Sequence, residues 1–71
     1  MSDTVYRVTE VIGTSAESWE AAAQNAVATA GHTIRDLRVA EATRFDLTIK
    51  DGKIADYRVR LDISFKYEAA D

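Results

Sequence analysis

An α+β domain of order β-α-β-β, with a three-stranded antiparallel sheet packed on one helix, is what the 71-residue chain predicts. Three observations carry that prediction. Residues 4–12 alternate and are rich in β-branched side chains, residues 19–30 hold an alanine stripe at helical spacing, and two long alternating runs flank "KDGK". The chain forms one domain, 1–71, near the lower size limit at which a single core suffices.

The first strand is "TVYRVTEVI", which Gly13 is expected to end. Thr14 and Glu17 then have the spacing of a capping box, and Ser15 is an equally good N-cap. Trp19, Ala22, Ala23, Ala26, Val27 and Ala30 recur at i, i+3, i+4, i+7, i+8 and i+11, one continuous apolar stripe. Alanines let such a helix lie close to a sheet, and Trp19 supplies most of the bulk in a core role. Gly31 is the expected C′ stop.

After "HTIRD", residues 37–50 and 53–67 form a hairpin around Asp51-Gly52, and "EAAD" is a tail expected to fray. Two registers are open. A two-residue loop puts Val39, Glu41 and Thr43 on one face with Arg58, Arg60 and Asp62. A three-residue loop with Gly52 as a G1 bulge joins Val39 instead to Val59, Leu61 and Ile63.

Each hairpin strand spans about 45 Å and the helix only about 22 Å, so one helix cannot cover the apolar side. Phe45, Leu47 and Ile49 on one strand and Val59, Leu61, Ile63, Phe65 and Tyr67 on the other would leave a large patch in water. Copies of the chain are expected to cover it, with symmetry closing the assembly.

Composition narrows the function classes. The chain has no cysteine, which excludes disulfides and thiolate metal sites, and its net charge of −3 is intermixed, unlike a nucleic-acid footprint. No signal peptide and no membrane span are visible, so a cytoplasmic protein without membrane or nucleic-acid partners is expected. Nothing reads as an enzyme. His32 sits beside the helix terminus as a cap or loop residue, Ser15 and Ser18 serve capping, and no nucleophile-base pair or glycine-rich phosphate loop appears.

"VIGTS", a helix opening "SWEAA", then "DYR" and "SFKYE" at these spacings resemble the dodecins, across nearly the whole chain. The resemblance implies a hollow homododecamer that usually binds flavins, FMN or riboflavin. Flavin-binding members carry a stacking Trp two residues before a Glu on the second strand, and nineteen residues on a Gln after Tyr that reads the pyrimidine edge. Here Val39 stands at the Trp position, Glu41 at the Glu and Arg58 at the Gln. Val lacks a π face, so flavin affinity should fall roughly 30- to 1,000-fold, and guanidinium lacks an acceptor for the flavin N3–H.

The resemblance therefore implies a dodecin-like shell for binding, storing or sequestering a small molecule or ion, with an altered ligand site at Val39, Glu41, Phe45, Arg58 and Arg60. Arg58 and Arg60 have the fork that receives a phosphate or carboxylate, unless Glu41, Asp56, Asp62 or a neighbouring subunit pairs with them. A second reading is calcium held where symmetry gathers copies of Glu10, Glu41, Asp46 or Asp56. Some dodecin-like proteins without the flavin Trp are associated with calcium. A third is residual flavin binding through neighbours and apolar contacts with Val39 and Phe45.

Overall fold

The computed structural model describes residues 4–66. The chain runs β1 (Tyr6–Ser15), α1 (Trp19–Gly31), β2 (Leu37–Lys50) and β3 (Lys53–Lys66). β3 lies in the middle of an antiparallel sheet of order β1-β3-β2, and α1 crosses one face over β1 and β3, barely touching β2. The prediction for Tyr67 and for the tail lies outside the described residues.

Gly13 does not end the first strand; β1 continues through it to Ser15. It is buried because α1 presses on it. A Cβ built on Gly13 would stand 2.0 Å from the Ala22 carbonyl oxygen and 2.8 Å from the Ala26 Cβ. The glycine is a point of contact between helix and strand backbones, and the helical alanines permit the same approach from the other side.

The helix starts later than the capping-box spacing suggests. Ser18 is the N-cap, its Oγ accepting from the Ala21 N–H at 3.0 Å. Ser15 Oγ accepts from the Glu17 N–H instead, which shapes the turn leading in. Thr14 is still in β1, where its carbonyl accepts from Asn25 Nδ2 at 3.0 Å and ties helix to strand. Gly31 is the last helical residue, and His32 caps the end with right-handed φ −70.

Of the apolar stripe, only Ala22, Ala26 and Ala30 are buried, and they meet Val59, Leu61 and Ile63 of β3. Trp19 and Val27 flank the contact and are more than a third exposed. Trp19 is thus a margin residue, set edge-on to Phe45 and Tyr57 with centroids 5.8 and 5.2 Å away. Its Nε1 donates to the Asp46 carbonyl at 3.3 Å.

Asp51 and Gly52 form a two-residue turn with φ of 53 and 75, which sets Lys50 opposite Lys53. Positive φ at both positions is the hairpin turn that matches the strands' twist. That register does not persist, because shifts between Thr48 and Ile49, Ala42 and Arg44, and Leu37 and Val39 move the pairing along the ladder. Leu37, Ala40, Ala42, Phe45, Leu47 and Ile49 therefore share the helix side, while Val39, Glu41, Arg44 and Asp46 face the uncovered side.

The molecule measures 56 × 20 × 15 Å, against about 20 Å of helix. Past the helix, Phe45, Leu47, Ile49 and Ile54 are 56, 37, 67 and 50% exposed. Across the uncovered face, Val8, Ile12 and Val39 are similarly open.

Two glycine substitutions test this packing by chemical denaturation at fixed protein concentration. Gly13→Ala should lower stability by about 1–3 kcal/mol, because backbone on the far side cannot give way. Gly31→Ala, whose Cβ would meet only Leu37 Cδ1 at 3.7 Å, should raise it by about 0.4–1 kcal/mol. Equal effects would contradict the close approach at Gly13.

Candidate functional site

The uncovered face of the sheet is built of cross-strand rows. Val8, Ser64 and Val39 form one row, and Glu10, Asp62 and Glu41 the next. Then come Ile12, Arg60 and Arg44, followed by Thr14, Arg58 and Asp46. Asp56 lies opposite Thr48 beyond them.

Val39, Glu41, Arg58 and Arg60 therefore share a face, but they do not converge. Val39 is opposite Ser64, whose Oγ donates to the Val39 carbonyl at 3.3 Å, and Arg58 lies six residues away along β3, about 20 Å. Phe45 is on the other side of the sheet, against Trp19. Within one chain the residues at the flavin-reading positions cannot both touch one small ring system.

Arg58 is already answered. Its Nε donates to Asp46 Oδ1 at 2.8 Å and its Nη2 to Asp46 Oδ2 at 3.1 Å, a bidentate pair. Asp46, rather than the expected Glu41, Asp56 or Asp62, is the partner, because the bulge at Thr43 turns Asp46 to this face. The Arg58 hydrogen bonds hold the Asp46 carboxyl below the usual carboxylate value against the opposing effect of burial, and the fields of Arg58, Arg44 and Arg60 assist. Asp46 in turn raises the Arg58 guanidinium further.

Arg60 is less well served. Its Nε is shielded from water without a hydrogen-bond partner, and the nearest carboxylate oxygen, Glu10 Oε2, is 3.9 Å away. Arg44, which the sequence reading did not single out, stands directly opposite Arg60. Its signal was present only in combination with the bulge, since simple alternation from Val39 puts Arg44 on the helix side.

Of the candidate cation ligands, Glu10 and Glu41 flank Asp62 in one row, Asp46 is engaged by Arg58, and Asp56 stands apart. Among the described residues, no group of three or more His, Cys, Asp or Glu is gathered closely enough to hold a metal ion. No helix among them is long and apolar enough to cross a membrane.

The lowered Asp46 value has a signed consequence. Stability from the Asp46–Arg58 pair is present above the ordinary carboxylate range and is lost as pH falls through the depressed folded value. Asp46→Asn should therefore flatten part of the acid limb of a urea-midpoint profile; an unchanged limb would show that the exposed pair contributes nothing measurable.

Comparison with known proteins joins this geometry to a family. A family model described as Dodecin matches residues 5–68. The calcium dodecin of Mycobacterium tuberculosis is 41% identical over 66 residues, covering 93% of each chain. The dodecin of Thermus thermophilus is 39% identical over 64 residues, covering 90% of this chain and 93% of that one. The solved dodecin of Streptomyces coelicolor superposes with a TM-score of 0.92 at 41% identity, over 99% of this chain and all of the other. A match that runs through both edge strands, the helix and the full hairpin leaves no part of the fold unaccounted for, and the chain belongs to the dodecin family.

Proposed function

We propose that this protein is a self-assembling dodecin, a hollow homododecamer that binds, stores or sequesters a small ligand, with the usual flavin site altered and without catalytic activity. The observation that carries the reading is the apolar surface beyond the helix. Phe45, Leu47, Ile49 and Ile54 extend past a core of only Ala22, Ala26, Ala30, Val59, Leu61 and Ile63. A monomer keeping that surface in water is disfavoured, and family membership supports copies of the same chain as the cover. The face opposite the helix is then the ligand face.

Flavin binding in its usual form is weakened on two counts. Val39 supplies no stacking plate, and Arg58 supplies no acceptor and is held by Asp46. Any flavin would be seated between copies, each lending part of the site.

A calcium reading has its own support. Glu10, Asp62 and Glu41 stand in register across all three strands, and the Mycobacterium tuberculosis relative is a calcium dodecin. Calcium takes six to eight oxygen ligands, more than one flat row can direct at a point, so carboxylates of several copies would complete the site.

Three measurements separate these readings. Sedimentation should give an assembly far larger than 7.9 kDa at micromolar concentration; a stable monomer would remove the shell. Val39→Trp should tighten riboflavin binding by about 30- to 1,000-fold, read as quenched flavin fluorescence; no gain would mean that this position does not face the flavin. Calcium, unlike magnesium, should raise the melting temperature in the second reading, and Glu41→Gln should abolish the rise.

A further inference from the structure

On the uncovered face the pairing of Arg44 with Arg60 is anomalous. Like charges directly opposite each other on neighbouring strands repel, with Cβ atoms about 5 Å apart. They meet because the register shifts between Ala42 and Arg44, leaving Thr43 without a counterpart on β3. Thr43 Oγ1 donates to the Arg60 carbonyl at 3.3 Å, fixing the bulge at the very residue Arg44 is brought to face. A bulge re-aims a side chain at the expense of ladder pairing. Here it sets two arginines opposite each other on neighbouring strands.

The neighbouring carboxylates do not resolve the repulsion. Among the described residues, no carboxylate lies within 4.0 Å of Arg44, and Arg60 has only the long approach of Glu10 at 3.9 Å. Asp46, in the next row, spends both oxygens on Arg58. On the other side stands the Glu10, Asp62 and Glu41 row, of which only Glu10 approaches Arg60 within 4.0 Å.

We infer that Arg44 and Arg60 form a binding site for a single phosphoryl group, free or carried on a small ligand, clamped between the two guanidinium forks. Two forks side by side offer paired N–H donors to a tetrahedral dianion, and its charge removes their mutual repulsion. The site deepens the ligand-face reading above, and rests on it in taking this face to remain open within the assembly. Arg58, the more obvious candidate from sequence, is outside the clamp because Asp46 occupies it.

The test is calorimetric titration of the assembled protein with inorganic phosphate at low, constant ionic strength, with chloride as control and a phosphate monoester, glycerol phosphate, as a second arm. Saturable phosphate binding is expected, weakened at least tenfold by Arg44→Gln and by Arg60→Gln. Arg44→Lys should bind at an intermediate strength, and Arg35→Gln, the same charge change elsewhere, should stay within twofold. Tighter binding of the ester than of free phosphate would identify a carried phosphoryl group, and the reverse a free ion; either supports the clamp. Absence of saturable binding, or equal weakening by Arg35→Gln, would overturn it. Sedimentation of the same samples reads assembly separately: assembled protein that ignores phosphate sinks this site alone, and phosphate binding by unassembled chains sinks only the shell.

Discussion

The contact on which the rest of the structure depends contains almost no side chain. At Gly13 the backbone of β1 meets the backbone of α1 at Ala22, with Ala26 beside it. A core this thin cannot draw on large buried side chains, so it draws on proximity: close backbones let Ala22, Ala26 and Ala30 reach Val59, Leu61 and Ile63. Dispersion weakens steeply with a gap of even half an ångström. The placement of the helix is therefore set to within the size of one methyl group.

That placement decides what remains open. Being drawn toward Gly13, the helix sits over β1 and β3, and β2 is left beside it. Trp19 spans part of the resulting step, edge-on to Phe45 and Tyr57, and bonds the backbone at Asp46. The remainder of β2 and the hairpin tip extend as a long apolar arm. The same geometry that satisfies the small core thus leaves Phe45, Leu47, Ile49 and Ile54 exposed, a surface that a further layer of protein would bury.

Element order, both hairpin strands and the turn at Asp51-Gly52 were legible in the sequence, because alternation and Asp-Gly report on local backbone preferences, whereas the choice between a two- and a three-residue loop was not and is settled by the positive φ of both residues. The extent of β1 was not. Glycine after an alternating run reads as a stop, and only the helix lying across it shows that Gly13 stays in the sheet. The helix start was misjudged for a related reason: Thr14, Ser15 and Ser18 are all chemically able to cap, and the continuation of β1 removes the first two. Trp19 was expected in the core because of its size, whereas the spacing that matters is i, i+4, i+8 from Ala22.

Thr43 introduces something like a shift of reading frame. Along most strands a residue's parity tells its side, and a motif's spacing along the chain can be converted to a position on a surface. In β2 that conversion holds only between interruptions, of which the shift between Leu37 and Val39 is another: Glu41 and Arg44 share a side though their parities differ, and Val39 and Phe45 are on opposite sides though theirs agree. Ligand positions carried over by counting residues can preserve the side and still misplace the neighbours. For this small sheet, which residues become neighbours depends on where the count is interrupted.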